Sequence, residues 1–320
     1  MDAFERHILE TIDKYNMIQK GQTVIAAVSG GYDSLCMLNV LCNLRRLRGF
    51  EVCVAHLNHM LRDEADGDEE FVVKEAQRLG IKSYTKRIDV SKYAEENKIS
   101  FETAGRVLRY GFFDEISKRY ESTVVATAHN ANDSAESMLM HLMRGSGLTG
   151  LVGIRPKNEN IIRPLIEADR MDIEKYCDEN GLVPRHDCTN DSDDYHRNDI
   201  RHNILAPMLE RCSLASLCRT MNVLSKEEEF LENYTTQIVE KYVQFKDGIN
   251  TVRVKDFNSL PYAIRRRVLK RIIDDSAENQ LCLVHIDDII TMAEKNYGGK
   301  QICLPGKMTV RLEKGLLLFK

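Results

Sequence analysis

Val24-Ile25-Ala26-Ala27-Val28-Ser29-Gly30-Gly31-Tyr32-Asp33-Ser34 runs an apolar stretch into a polar glycine turn, and a helical pattern follows from Leu35 to about Arg48. The apolar part reads as a buried strand over 22–28. Gly30 and Gly31 let the backbone turn sharply and approach a ligand closely, because no Cβ stands in the way. Ser29 and Ser34 offer hydroxyls, and the following helix points its positive end at whatever sits in the turn. The turn is therefore built for an anion, and Asp33 inside it points to a metal rather than to bare phosphate. A Gly-Lys-Ser/Thr ending is missing, so this is not a Walker A loop.

Outward from this turn, short apolar runs alternate with helical periodicity. Strands are predicted at 22–28, 51–57, 82–88 and 122–128, and helices at 34–48, 67–79, 101–119 and 133–144. That alternation predicts βαβ units and a parallel sheet covered on both faces. Ligands of such sheets lie beyond the carboxyl ends of the strands, which places the chemistry just after residues 28, 57 and 128. From about 169 the pattern turns helical, and 205–245 reads as almost continuous helix. Further helices are expected near 261–274 and 284–296. The stretch from Gly298 through Phe319 alternates like a hairpin. Residues 246–258 read only as a connection or an edge strand. A domain boundary is expected near 212–216, dividing 1–214 from 215–320.

The bulk numbers are those of an ordinary globular protein: 320 residues, 43% hydrophobic, 29% charged and a net charge of −4. The charge is uneven. Residues 261–320 hold 11 basic against 7 acidic side chains, a net +4, and residues 1–260 hold 34 against 42, a net −8. Arg265-Arg266-Arg267 with Lys270-Arg271 is the densest basic cluster, readable as a solvated helix face or as a contact for a polyanion. Nine cysteines show neither a Cys-Xaa-Xaa-Cys pair nor zinc spacing. An odd count without a framework fits a reducing cytosol. The N-terminus has no apolar signal region and no run is long enough for a membrane span, so a cytoplasmic protein without membrane contact is expected.

Polar constellations fall where the strand ends predict. His56-Leu57-Asn58-His59-Met60-Leu61-Arg62 follows the second strand, and a metal site there would lack a third ligand, so a loop touching nucleotide or substrate is expected. Ala128-His129-Asn130-Ala131-Asn132-Asp133-Ser134-Ala135-Glu136 follows the fourth. Asp133 and Glu136, three apart at a helix start, share a face. Gly145-Ser146-Gly147-Leu148-Thr149-Gly150 matches a dinucleotide fingerprint but follows a helix instead of a strand, so a glycine C-cap explains it better. Arg197 and Arg201, four apart, present two guanidiniums on one face of a helix, a pair able to grip phosphate or a nucleotide.

The loop at 29–34 resembles the pyrophosphate-gripping loop of the N-type ATP pyrophosphatases. The ordered set of this loop, His56 to Arg62, Glu102 with Arg106-Val107-Leu108-Arg109-Tyr110, Ala128 to Ser137, Arg144 to Gly147, Arg163-Pro164-Leu165 and Asp187 to His202 resembles the tRNA(Ile)-lysidine synthases. The match is dense over about 20–205 and weak through Leu304-Pro305-Gly306. Asn132 and Ser134 stand where that family usually has Asp and Gln, and Gly105 replaces a usual Ala. Longer members carry an additional C-terminal domain, and this chain looks like the short form.

The resemblance implies a PP-loop catalytic domain followed by a mainly helical tRNA-binding domain that ends in a small hairpin. The implied substrates are ATP, L-lysine and the wobble cytidine of a CAU-anticodon tRNA(Ile). Its implied site has Ser29, Gly30, Gly31, Tyr32, Asp33, Ser34 and His56 around ATP, with Asp33 and Asp133 on Mg²⁺. Asp33, His129, Asp133, Glu136 and Arg109 are the expected catalytic set. Arg197, Arg201, Arg265, Arg266 and Arg267 are expected to meet tRNA or substrate. A tRNA thiolase of the same superfamily and a non-catalytic tRNA- or ATP-binding protein are the competing readings. Whether the chain works as a monomer or a homodimer is not set by its sequence.

Overall fold

The computed structural model describes residues 1–60, 65–185, 195–274, 283–296, 298–305 and 308–320. The chain forms two compact units, Met1–Asn222 and Val223–Lys320.

The first unit runs α1 (Ala3–Lys14), β1 (Thr23–Ala27), α2 (Tyr32–Arg48), β2 (Glu51–Asn58), α3 (Ala65–Arg78), β3 (Lys82–Arg87), α4 (Val90–Asn97), α5 (Phe101–Ser117), β4 (Thr123–Ala126) and α6 (Ala131–Met143). It continues through α7 (Leu148–Leu151), β5 (Lys157–Asn158), β6 (Ile161–Ile162), α8 (Arg170–Glu179), α9 (Tyr195–Asp199), a π-helical turn at Ile200–Leu205 and α10 (Ala206–Leu209). The strands form one sheet in the order β3-β2-β1-β4-β6-β5. β1, β2, β3, β4 and β6 are mutually parallel, and only the two-residue β5 runs the other way.

Side-chain alternation along β1 explains the layering. Val24 and Ala26 pack on one face with Val28 against α1, α2 and α8, through Ile8, Leu38, Leu41 and Ile173. Ile25 faces the other way, onto Phe112, Phe113 and Ile116 of α5. A strand buried on both faces must be apolar throughout, which is why 24–28 carries no polar residue. Shortening a fully buried side chain such as Ile25 to Ala would cost about 2–5 kcal/mol. α2 ends where Gly49 turns left-handed at φ +68°, a conformation that glycine adopts without strain.

Gly145, at φ +73°, follows the last turn of α6, and the N–H groups of Gly145 and Ser146 return to the Leu142 and His141 carbonyls. The run 145–150 is thus a helix stop, as its position after a helix implies.

α11 (Leu214–Tyr242) contains the division between the units. The helix expected across 205–245 is interrupted at 210–213, where the Ser213 hydroxyl accepts the Ser216 N–H and starts α11 anew. The second unit adds β7 (Val243–Lys246), β8 (Ile249–Arg253), α12 (Val254–Ser259), α13 (Tyr262–Asp274), α14 (Leu283–Lys295), β9 (Gln301–Cys303), β10 (Thr309–Glu313) and β11 (Leu316–Phe319). Its strands form a five-stranded antiparallel sheet, β7-β8-β11-β10-β9, larger than the hairpin that the pattern implied. β7 and β8 are mostly polar, and Val252 is the member that enters the core with Phe257, Leu269, Ile289, Val310 and Leu317. Among the described residues no helix is long and apolar enough to cross a membrane.

Candidate active site

β1 neighbours both β2 and β4, and the chain winds outward from β1 in opposite directions on its two sides. This is the switch point at which α/β sheets bind ligands. The glycine turn leaves β1 here and the Thr127–Asp133 segment leaves β4.

In the turn, the Ser34 hydroxyl is the organiser. Its oxygen accepts the N–H groups of Ser29 (3.3 Å) and Gly30 (3.1 Å) and donates to the Gly31 carbonyl (3.0 Å). Gly30 adopts φ +103°, a region open in practice to glycine, and a Cβ there would also meet Phe71 at 3.6 Å. Gly31 caps α2 with no side-chain hydrogen bond, so the first amides of this helix keep their donors for a ligand. The imidazole of buried His56 donates from Nδ1 to the Val28 carbonyl (2.8 Å), which leaves Nε2 as a buried ring nitrogen without a partner among the described residues.

The start of α6 faces this turn. Asn130 and Asp133 form a capping box: the Asn130 side-chain oxygen accepts the Asp133 N–H and Asp133 accepts the Asn130 N–H, both at 3.0 Å. The remaining Asn130 amide donates to Asp33 Oδ1 at 3.0 Å, tying α6 to α2. Burial raises the Asp33 pKa and the nearby Asp133 charge adds to this, against the Asn130 hydrogen bond and the Arg170 and Arg201 charges.

One turn further along α6, Glu136 is wholly buried and both its oxygens are engaged. Arg201 donates to them from Nε (2.6 Å) and Nη2 (3.2 Å), and Arg197 from Nε (3.1 Å). Arg201 also lies 3.9 Å from Asp133. Burial works against the Arg201 charge, but the Glu136 hydrogen bonds with the Glu136, Asp133 and Asp33 charges raise its pKa above the ordinary value. α9 and the π-helical turn that follows it bring both guanidiniums onto one carboxylate, as the four-residue spacing requires.

His129 stands between, its Nδ1 3.0 Å from the Thr127 hydroxyl. Burial, and then the charges of Arg163, Arg197, Arg109 and Arg106, push its pKa down to about 4. His59 is pushed to about 4 by burial, Arg109 and His56. Both imidazoles are neutral at physiological pH.

This arrangement has known counterparts. A PP-loop domain model matches residues 1–208. The chain is 38% identical over 323 residues to the tRNA(Ile)-lysidine synthase of Clostridium perfringens, covering 99% of this chain and 68% of that protein. The chain belongs to the tRNA(Ile)-lysidine synthase family. The synthase of Clostridium acetobutylicum is 39% identical over 308 residues, covering 94% of this chain and 66% of its own length. That of Clostridioides difficile is 36% identical over 321 residues, covering 97% and 69%. The chain thus spans about two thirds of the length of these relatives. Among solved structures, the U34-tRNA thiolase NcsA of Methanococcus maripaludis shares the fold at TM-score 0.58 and 18% identity, covering 69% of this chain and 77% of that one.

The three positions expected to depart from the family pattern have local contacts of their own. Asn132 accepts the Arg170 N–H at the start of α8 (3.1 Å), and the Ser134 hydroxyl accepts the Ile154 N–H (3.0 Å). Gly105 packs near Val90 and His59, where an added Cβ would make ordinary contacts of 3.8 and 3.9 Å.

The structure gathers Ser29–Ser34, His56, His129, Asp133, Glu136, Arg197 and Arg201 at the switch point, with Arg109 acting electrostatically on His59 and His129. Arg62 and the Asp187–Asp191 stretch lie outside the described residues. Asn130 is the member that sequence reasoning passed over. Its type and position at the N-cap were visible, but its bond to Asp33, 97 residues away, was not. In the second unit, Arg265 pairs with Glu294 (2.8 Å), and Arg267 pairs with Glu228 and Glu232. Arg266 lies over the Tyr262 ring, 5.7 Å from its centroid. No carboxylate partner is found for Arg266 among the described residues.

Proposed function

We propose that the protein ligates L-lysine to the wobble cytidine of a CAU-anticodon tRNA(Ile) at the expense of ATP, through an adenylated base, releasing AMP and pyrophosphate. The observation that carries this reading is the facing of the glycine turn and the Asp33–Asn130–Asp133 set across the switch point, in a chain of this family.

The ring carbonyl of cytosine is a poor electrophile because its oxygen leaves badly. Transfer of AMP to that oxygen forms an O–P bond, breaks the α–β phosphoanhydride and makes a good leaving group. The lysine ε-amine then attacks the ring carbon and displaces AMP. That amine has a pKa of about 10.4 in water, so a carboxylate nearby has to take its proton.

In this reading the free amides at the start of α2 and the turn at 29–31 bind the ATP phosphates, with the His56 ring held beside the turn by the Val28 carbonyl. Asp33 and Asp133 fit a Mg²⁺ ion: burial and mutual repulsion raise the Asp33 pKa, and a divalent cation relieves both. Mg²⁺ takes one or two protein carboxylates alongside phosphate oxygens, which suits a site where no group of three candidate ligands gathers among the described residues. Bound there, it would neutralise charge on the transferring phosphoryl group. Glu136 acts through Arg197 and Arg201, fixing where their guanidiniums lie against phosphate or the modified base. Arg266 belongs to the surface offered to tRNA backbone, whereas Arg265, held by Glu294 and largely buried, does not.

The test is incubation with Mg-ATP, radiolabelled lysine and CAU-anticodon tRNA(Ile), followed by counting acid-precipitable RNA. Label that survives mild base is expected, since a ring C–N bond resists the hydrolysis that removes an aminoacyl ester. Pyrophosphate release without lysine incorporation would overturn the choice of nucleophile, and no tRNA-dependent pyrophosphate would overturn the adenylation.

A further inference from the structure

After α8 the chain crosses back to the glycine turn. The helix stops where the Leu182 N–H returns to the Cys177 carbonyl (2.9 Å), and Val183-Pro184-Arg185 leads away from it. α8 and this segment reach two carbonyls of the turn: the Cys177 thiol lies 3.7 Å from that of Tyr32, and the Arg185 N–H donates to that of Gly30 at 3.1 Å. The Arg185 side chain then extends to α3, where Nη1 stands 3.2 Å from Asp68 Oδ1. It lies so close to Gly67 that a Cβ there would meet Nη1 at 2.5 Å and Nη2 at 3.0 Å. One turn further along α3, Phe71 and Val72 stand 3.6 and 3.9 Å from where a Gly30 Cβ would be. α3 therefore bears on the glycine turn twice, directly through these two side chains and indirectly through Arg185.

The bond to Gly30 falls at the joint of the turn least able to hold itself. A peptide between two glycines has no Cβ on either side to oppose its rotation. Ser34 pins the Ser29 and Gly30 N–H groups and the Gly31 carbonyl from within, whereas the Gly30 carbonyl is held from outside the turn. In a trans peptide the carbonyl and the N–H point opposite ways, so a Gly30 carbonyl held toward Arg185 sends the Gly31 N–H to the other side. Reversing this peptide would replace that donor by an oxygen, which repels an anion. Gly67 adds an independent observation. Glycine inside a helix is less favourable than alanine, because it has more backbone freedom to lose. Here the missing side chain is what admits the guanidinium.

We propose that Arg185 is a positioning residue for the phosphate-type turn: its N–H fixes the Gly30–Gly31 peptide in the anion-binding sense, and its side chain, seated on Gly67 and paired with Asp68, anchors that N–H to α3. This role rests on the reading above that the turn binds the phosphates of ATP. Arg185 does not itself touch the ligand. Both ion-pair partners are partly exposed, so the pair adds little to folding, and its effect falls on the geometry of the turn.

The test is calorimetric titration of the full chain, in Mg²⁺, with an ATP analogue bridged by a methylene between the α and β phosphates. This needs neither turnover nor RNA. Arg185→Ala should weaken binding by roughly 3- to 10-fold, the scale of one exposed charge interaction, at a level melting temperature. Gly67→Ala should weaken it similarly while holding or raising the melting temperature, since alanine suits the helix but its methyl displaces the guanidinium. A merely structural glycine would not separate the two readouts in this way. The double variant should bind no more weakly than Arg185→Ala alone, because both changes act through one side chain. Arg185→Lys, which keeps a cation for Asp68, should recover part of the loss. Asp68→Asn decides how Arg185 acts. Weaker binding is the result expected of a lost anchor. Tighter binding would mean that Asp68 withholds a guanidinium that meets phosphate directly, and would overturn the assignment. So would unchanged affinity in Arg185→Ala, or full additivity with Gly67→Ala. A native chain that does not bind the analogue sinks the ATP reading and the positioning role together, whereas native binding with indifferent variants sinks the positioning role alone.

Discussion

Each unit buries a glutamate beneath a pair of arginines, and the two clusters behave differently. In the first, one carboxylate, Glu136, holds Arg197 and Arg201, and Arg201 extends toward Asp133 and the crevice. In the second, Glu228 and Glu232 hold Arg267, and Glu232 also holds Arg271. Two acids for two bases close the second cluster on itself, and it packs α13 against α11. In the first cluster Arg201 reaches past Glu136 to Asp133, so its ion pairs end at the neighbouring site instead of within the cluster. The same chemistry thus makes a fastener in one place and a positioning device in the other, and where the outermost ion pair ends decides which.

The largest test of this contrast lies just outside the first cluster. Asp33→Asn should lower turnover by roughly 10²–10³-fold or more, yet leave the melting temperature level or slightly raised. The amide still accepts from Asn130, and the repulsion with Asp133 is gone. Normal turnover in this variant would remove Asp33 from the site.

Next come the carboxylates themselves. Glu136→Ala and Arg267→Ala should each destabilise their own unit by about 3–5 kcal/mol in denaturant titrations, because each strands a buried opposite charge. Only Glu136→Gln, which spares much of the packing, should cut activity out of proportion to stability. If Glu228→Gln cuts activity equally, the contrast between device and fastener fails.

The histidines beside the first cluster give a pH signature of their own. Their folded pKa values, about 4, lie below the ordinary 6.5, so protonation favours the unfolded chain. Their contribution to stability is full above pH 6.5 and is lost as pH falls toward 4. Melting curves from pH 8 to 4 should show this fall in the native protein and a smaller one in His129→Gln, and the pH–rate profile should have no limb from these groups near 6.5.

The smallest effect expected is on RNA binding. Arg266→Glu should weaken tRNA affinity and reduce the salt slope by about one unit. Arg267 is neutralised from within, so its replacement should act through stability and leave the slope of the folded protein unchanged. Equal loss of slope at both positions would mean that the second cluster opens to RNA.

Much of this was legible from residue patterns. The turn at 29–34 had to follow a buried strand and open a helix, because an apolar run, two glycines and a 3.6-residue periodicity admit little else. Asp133 and Glu136 on one face, and Arg197 with Arg201 on another, followed from spacing alone. β7 was absorbed into the helix expected over 205–245, because an edge strand buries few side chains and leaves a faint apolar signal, while β8 fell in the stretch read as a connection or an edge strand and is paired on both sides. Arg265-Arg266-Arg267 read as one basic patch, although helix geometry turns its middle and outer members in different directions. Arg163 was marked only as part of the Arg163-Pro164-Leu165 motif, since a single arginine after a two-residue strand has no periodicity to betray its burial.

What the sequence determined by itself is the local order: which runs are strands, where the phosphate-type turn lies, and which side chains share a helix face, because these depend on contacts a few residues apart. Which charges meet is a different matter. Asn130 with Asp33, Arg201 with Glu136 and Arg267 with Glu228 were decided by tertiary structure, since electrostatic partners are chosen by distance in space, and a chain of mixed charge offers each arginine far more carboxylates than the fold brings within reach.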